Sequence, residues 1–348
     1  MLFGGLAQRL ARWWYEPRLR APLYLLLPVA SLYGALAGLR RVAYRCGWLR
    51  ACRLPVPVIV IGNLTVGGSG KTPLVLWLVQ RLRASGWRPG IVSRGYGGRS
   101  GQILAVAPDS PCALVGDEPL LLARRSGVPV FIGRDRVAAA QALLSAHADC
   151  NVIVSDDGLQ HYRLQRAIEL VVFDERGHGN CRLLPAGPLR EPLRRLRQVT
   201  AVVWNGGLPE VLPDAAQALP NFAMRLVGER FVAANGELRS CTAADWSGRK
   251  IYALAGIGNP QRFFRHLEAL GLQVDARAFA DHHPYSAADL LFARDGVLLM
   301  TEKDAVKCAA YVSADAWVLP VEAVISGTER HADLFETILE KLHGCSSA

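Results

Sequence analysis

From Pro55 to Leu82 the chain reads PVPVIVIGNLTVGGSGKTPLVLWLVQRL. An apolar run, Val56 to Ile61, enters a glycine-rich turn, Gly70-Lys71-Thr72 follows, and an amphipathic stretch continues from Leu74 to Leu82. The order is strand, phosphate loop, helix. Gly67, Gly68 and Gly70 carry no side chain, so backbone N–H groups can close around phosphate oxygens. The positive end of the following helix points at the same place. Lys71 is long enough to reach the outer phosphates, and the Thr72 hydroxyl can ligate Mg²⁺. Pro73 suits a first helical turn, where a missing N–H is harmless. The expected nucleotide cradle runs over Thr65, Val66, Gly67, Gly68, Ser69, Gly70, Lys71 and Thr72. Thr65 stands where the general pattern asks for Gly, so a plain glycine-rich βα turn remains the alternative on spacing alone.

Outward from this stretch, strand and helix signals alternate. Arg88 to Val92 leads into Arg94-Gly95-Tyr96-Gly97-Gly98. Gly116-Asp117-Glu118-Pro119 opens a helix, with its acids at the positive end. Val128 to Ile132, Val152 to Val154, Leu170 to Phe173 and Ala201 to Trp204 read as further strands. The pattern predicts an α/β fold: a phosphate-loop-type parallel sheet flanked by helices, with ligands at the carboxyl ends of strands. Beyond a Pro- and Gly-rich stretch from Gly206 to Gln217, a hairpin around Asn235-Gly236 and strands at Ile251–Ala255 and Val297–Met300 predict a smaller α/β unit. The expected division is 1–44 as a membrane-associated segment, 45–218 as the core and 219–348 as the second unit.

Composition narrows the function. Of 348 residues, 40 are Lys or Arg and 30 Asp or Glu, giving a net charge of +10. Such a balance favours anionic partners. The eight Cys form no C-x-x-C pair, which argues against a zinc site or a disulfide framework. Ala21 to Leu39 holds 19 residues without a charge, preceded by Arg18 and Arg20 and followed by Arg40 and Arg41. With Trp13, Trp14 and Tyr15 upstream it reads as a helix embedded in, or lying on, a membrane surface; a helix packed on the domain itself is the alternative. No zinc-finger spacing or aromatic-basic motif points to nucleic acid. A switch-type NTPase would share the loop and the acids.

The chemistry-bearing residues cluster after apolar runs. Asp156 and Asp157 end a strand, where phosphate-loop enzymes hold Mg²⁺. Asp117 fits a helix cap or a base that takes a proton from an attacking hydroxyl. Glu191 sits in a proline-rich loop. His282 and His283 are adjacent in Asp281-His282-His283-Pro284-Tyr285; a His beside a carboxylate can orient or tune a base. His161 is open between a structural and a functional role. The run Arg190, Arg194, Arg195 and Arg197 can meet phosphate or remain a solvated face.

Taken together, GNLTVGGSGKTP (Gly62 to Pro73), SRGYG (Ser93 to Gly97), VGDEP (Val115 to Pro119), GRDR (Gly133 to Arg136), SDDGLQH (Ser155 to His161), LLPAGPLREP (Leu183 to Pro192), AGIGNPQRFF (Ala255 to Phe264), ADHHPY (Ala280 to Tyr285) and TEKDAVK (Thr301 to Lys307) resemble the tetraacyldisaccharide 4′-kinase family of lipid A biosynthesis. Thr65 matches that family's form of the loop. The resemblance implies transfer of phosphate from ATP, with Mg²⁺, to the 4′-hydroxyl of a tetraacylated disaccharide 1-phosphate, giving lipid IV-A at the cytosolic face of the inner membrane. It implies Asp117 as base, assisted by His282. It implies Thr72, Asp157 and Glu191 at the metal, and Asp156 near phosphate or substrate. Tyr96, Arg136, Gln160, His161 and Arg190 would lie in the headgroup or nucleotide region. A monomer on an anionic membrane surface is expected, with the second unit closing over the first.

Overall fold

The computed structural model describes residues 9–16, 18–98, 101–328 and 331–346; positions 1–8 and 17 of the expected N-terminal segment lie outside them. In chain order the strands are β1 (Val58–Gly62), β2 (Pro89–Ser93), β3 (Leu104–Ala105), β4 (Val130–Ile132), β5 (Val152–Asp156), β6 (Ile168–Asp174), β7 (Ala201–Asn205), β8 (Asn221–Val227), β9 (Phe231–Ala233), β10 (Ser240–Cys241), β11 (Ile251–Ala255), β12 (Asp275–Ala278), β13 (Val297–Thr301), β14 (Ala316–Leu319) and β15 (Glu322–Ser326). The helices that matter below are α1 (Leu27–Arg45), α2 (Lys71–Ala84), α3 (Asp117–Ser126), α4 (Arg136–Ala146), α5 (Pro260–Ala269), α6 (Glu302–Cys308) and α7 (Leu334–Ser346).

Strand β1 is buried along its whole length, as a strand covered on both faces must be. Side chains alternate across it. Ile59 and Ile61 join Leu74, Leu78 and Leu82 of α2 and Ile338 of α7 in one core. Val58 and Val60 join Val137, Ala140 and Leu143 of α4 in the other. The large sheet has the order β15-β8-β7-β6-β1-β5-β2-β4-β3. Its strands run parallel from β4 to β8, with antiparallel β3 and β15 at the two edges. The register pairs Ile61 with Asp156 and Gly62 with Val171. The ends of β1, β5 and β6 therefore open onto one crevice, and the phosphate loop lies between two acidic strand ends.

A second sheet has the order β10-β9-β14-β13-β11-β12. The β9–β10 hairpin is antiparallel, as Asn235-Gly236 predicts, while β11 to β14 run parallel. The expected break at 218/219 does not follow the sheets. Strand β8 extends the large sheet beside β7, β15 returns to pair with β8, and α7 packs on the large core. The small sheet is thus an insertion between β8 and β15. Neither strand shows a continuous apolar run, because both lie towards the edge and are buried only in part.

At the N-terminus, Pro28 sits in the first turn of α1, so it separates a short turn (Ala21–Tyr24) from α1 without kinking it. Among the described residues no helix is long and apolar enough to cross a membrane.

Candidate active site

The phosphate loop is shaped by the groups that hold its carbonyls. Asn63 donates to the Gly67 carbonyl at 3.0 Å, Arg176 to Gly68 at 3.4 Å and Asn205 to Ser69 at 3.0 Å. With those carbonyls turned away, the N–H groups of Gly67, Gly68 and Ser69 have no partner among the described residues and are free for an anion. Gly70 has φ 88°, and a Cβ there would fall 2.0 Å from the Asn205 amide, so the position admits only glycine. Thr72 lines the cleft, whereas Thr65 is buried beside it and the Val66 N–H is taken by the Pro188 carbonyl at 2.9 Å.

Lys71, nearly buried at the start of α2, has its Nζ 3.5 Å from Asp157 Oδ1. Arg190 grips the same carboxylate at 3.2 and 3.3 Å. Burial pushes the Asp157 carboxyl up, but the charges of Lys71 and Arg190 bring its pKa below the ordinary value. Asp157 has φ 48°, a left-handed turn that Asp tolerates, and it separates the directions of the two adjacent acids. Asp156 is 1% exposed, accepts from Ser93 Oγ at 3.3 Å, and has a second oxygen, Oδ1, without a partner. Burial and then the Glu118 charge raise its pKa against the pull of Lys71.

Across the crevice, α3 begins at Asp117, which is 4% exposed. His282, on the loop after β12, places Nδ1 3.1 and 3.0 Å from the two Asp117 oxygens. His283 instead lies 3.4 Å from Asp289 and packs against Phe279 and Tyr285. A φ of 60° at His282 turns the pair of rings apart. Lys303 Nζ, from the first turn of α6, sits 3.0 Å from Glu118 and from Asp281, 3.5 Å from His282 Nε2 and 3.9 Å from Asp117. Lys307, one turn later, is also 3.9 Å from Asp117 and 3.0 Å from Asp304. Burial would raise the Asp117 pKa, but the His282 hydrogen bond and the two lysines bring it below the ordinary carboxylate value. Burial would lower that of His282, but Asp117 holds it above the ordinary imidazole value.

The remaining expected residues divide. Tyr96, exposed, stands with its ring 4.9 Å from that of His282. Gln160 accepts from Arg190 at 3.5 Å and donates to the Asn63 carbonyl at 3.3 Å. Arg136 lies beneath the surface, donating to the carbonyls of Gly133 at 2.9 Å and Asp156 at 3.4 Å, and burial lowers its pKa to about 10. His161 accepts from the Arg136 N–H at 3.3 Å; burial and the Arg136 charge lower its pKa to about 4, so the ring is neutral at pH 7. Glu191 is drawn into a separate buried network. It accepts from the Tyr162 hydroxyl and lies 3.5 Å from Arg195, which also holds Glu169 at 2.6 Å. Its second oxygen, Oε2, makes no hydrogen bond, and burial holds its pKa above the ordinary carboxylate value.

Lys303 and Lys307 join the cluster around Asp117, a placement that motif spacing does not assign. A signal is nonetheless present: only five lysines occur in the chain, and two of them stand four apart directly after a buried strand. Lys303 also lines a cavity of about 210 Å³ together with Lys71, Thr72 and Glu118, and through Lys303 this cleft adjoins Asp117 and His282. The fold and this cleft define a phosphate-loop enzyme built for phosphoryl chemistry.

The family model described as "Tetraacyldisaccharide-1-P 4′-kinase" matches residues 22–342. A tetraacyldisaccharide 4′-kinase of Dechloromonas aromatica (strain RCB) is 54% identical over 341 residues, covering 97% of this chain and 98% of its own. One from Azoarcus sp. (strain BH72) is 55% identical over 330 residues, covering 94% of each. A crystal structure of LpxK from Aquifex aeolicus in complex with ATP is similar with a TM-score of 0.78 at 30% identity, covering 92% of this chain and 99% of that one. The chain belongs to the tetraacyldisaccharide-1-P 4′-kinase family. It is a kinase, and its reaction is phosphorylation of the 4′ position of a tetraacyldisaccharide 1-phosphate.

Proposed function

We propose that the cleft binds ATP on the loop of Gly67 to Thr72 and transfers its γ-phosphate to the 4′-hydroxyl of the lipid, with Asp117 as base, giving lipid IV-A and ADP. The observation that carries this is the single cleft shared by Lys71 and Lys303, with Asp117 3.9 Å from Lys303. A sugar hydroxyl is a poor nucleophile at neutral pH, so a positioned base is worth on the order of 10² to 10⁴ in rate. The sugar oxygen bonds to the γ-phosphorus, the bond from that phosphorus to the bridging oxygen breaks, and the hydroxyl proton passes to an Asp117 oxygen. The depressed pKa keeps Asp117 ionised and ready at neutral pH. His282 orients it: an ionised carboxylate only accepts, so Nδ1 donates, and Nε2 is left facing Lys303 rather than the acceptor.

The donor set fits a magnesium ion shared with ATP. Among the described residues no three His, Cys, Asp or Glu side chains form a metal cage, and Mg²⁺ bound with a nucleotide needs only one or two protein carboxylates beside the phosphates. The unpartnered Asp156 Oδ1 supplies one; the Thr72 hydroxyl and Asp157 are the others. When bound, the ion neutralises charge on the β- and γ-phosphates.

The acceptor comes from the bilayer. Leu25, Val29, Leu32, Leu36, Leu39 and Val42 are exposed at spacings of three and four, an apolar face on α1 and the turn before it. The opposite face rests on the enzyme, where Tyr33 donates to the Arg190 carbonyl at 3.0 Å. An apolar face of this kind lies in the plane of the headgroup boundary, and the docked face behind it touches the loop that carries Arg190. We therefore favour an interfacial anchor on the cytosolic face of the inner membrane, carrying a monomer. The test is incubation with labelled ATP and the disaccharide 1-phosphate. Lys71→Ala is expected to abolish incorporation with an unchanged melting temperature, and wild-type turnover would remove Lys71 from the reaction.

A further inference from the structure

Most arginines around the nucleotide cleft are paired. Arg176 holds Asp174 at 2.5 Å, Arg190 holds Asp157 at 3.2 Å and Arg265 holds Glu175 at 2.6 Å. Arg262 differs. It lies in the first turn of α5, lines the cavity with Gly68, Lys71 and Thr72, and its guanidinium makes no hydrogen bond or ion pair with any described residue. Burial lowers its pKa, and Glu175 and Asp174 counter that only from beyond contact distance. Arg176 holds Asp174, and Asn259 and Arg265 share one oxygen of Glu175; neither acid forms an ion pair with Arg262. A partly buried cation without a partner is stabilised when a ligand supplies the anion.

Position identifies that anion. Gly258 lies so close to the phosphate loop that a Cβ on it would come 2.5 Å from the Gly68 nitrogen. Gly258 is thus laid against the middle of the loop, where the outer phosphates belong, and Arg262 follows it by four residues on the wall of the same cavity. The apolar lining of the same cavity, including Leu76, Leu226, Phe263 and Val321, suits the base and sugar instead.

We propose that Arg262 is a catalytic arginine, delivered by the small-sheet unit, that grips the β- and γ-phosphates of ATP and stabilises the charge gathering on their bridging oxygen. The proposal rests on the reading of this cleft as the ATP site. As the sugar oxygen bonds to the γ-phosphorus, the electron pair of the breaking bond stays on ADP and the hydroxyl proton goes to Asp117. Arg262 exchanges no proton; its fork meets two phosphate oxygens at once, which a lysine cannot do.

The test uses the full chain, with steady-state transfer from ATP to the disaccharide 1-phosphate and calorimetric ATP binding. Arg262→Ala is expected to lower kcat about a hundredfold or more, to leave the KM for the lipid within about twofold, and to recover in part on addition of guanidinium at millimolar concentration. Arg262→Lys is expected to stay at least tenfold below wild type, and it decides the question should the alanine variant fail to fold. A kcat and KM for ATP within threefold of wild type in Arg262→Ala, or full activity in Arg262→Lys, overturns the proposal. ATP binding that remains dependent on Lys71 in that case leaves the ATP site standing and removes only Arg262. Wild-type protein that does not bind ATP removes both.

Discussion

Asp117 and His282 come from different sheets and meet at 3.0 Å. Each shifts the other, and the direction fixes a pH prediction. The His282 hydrogen bond helps hold the Asp117 pKa below its ordinary value. Asp117 must be ionised to accept a proton, so activity falls as pH drops through that lowered pKa. Removing the imidazole removes the hydrogen bond and raises the Asp117 pKa. The acid limb of kcat/KM in His282→Ala is therefore expected to move to higher pH, with kcat about ten- to a hundredfold lower. A pH–rate profile checks this, and an unmoved acid limb would separate His282 from the base. At this scale the sequence names candidates, and the structure shows which of them meet: Asp117 with His282, and Lys71 with Asp157. The adjacent histidines cannot be told apart by spacing, because the left-handed turn at His282 that parts them is a tertiary constraint. Asp117 also accepts the Glu118 N–H at 2.9 Å, so the same carboxylate serves the helix start and faces His282.

Among the elements, the first strand, the loop and α2 are legible because their signals are local: an apolar run, three glycines and a first-turn proline. Strand β12 is exposed throughout, and β15 alternates at an edge. Neither presents an apolar run, and the pairing of Val324 with Arg225 joins segments that local pattern cannot connect. The uncharged stretch Ala21 to Leu39, most of it in α1, is the sequence signal behind the proposed membrane contact; the one-sided exposure of the helix is visible only once its other face is docked. That exposure gives a prediction. Leu32→Glu with Leu36→Glu adds charge to the exposed face, away from the Tyr33 hydrogen bond and from Gly34, where a Cβ would meet Leu183 at 2.6 Å. Cosedimentation with anionic liposomes is expected to fall about tenfold or more, while the melting temperature stays within a few degrees. Retained cosedimentation would place the membrane contact elsewhere.

For the whole molecule, the decisive feature is that two sheets direct their strand ends into one cleft. The phosphate loop and Asp117 belong to the large sheet, whereas Gly258, Arg262, His282 and Lys303 arrive on the inserted unit. The site is complete only with both in place, a geometry suited to excluding water while the γ-phosphate is in transit. Gly258→Ala tests this contact, because its Cβ would press on the backbone of Gly68. It is expected to raise the KM for ATP about tenfold and to reduce the thermal stabilisation by saturating ATP, which at 100 times Kd amounts to about 2.7 kcal/mol in an unaltered protein. Unchanged ATP affinity would show that the inserted unit does not seat on the loop during binding.

The most direct test of the account is transfer of the terminal phosphate itself. Purified wild-type protein and Asp117→Asn, each with labelled ATP and the tetraacyldisaccharide 1-phosphate, are compared by mass spectrometry of the lipid product. The account predicts 4′-phosphorylated lipid from the wild type, and at least a hundredfold less from Asp117→Asn with ATP binding retained. Wild-type rates in the asparagine variant, or label that never reaches the sugar, would contradict it.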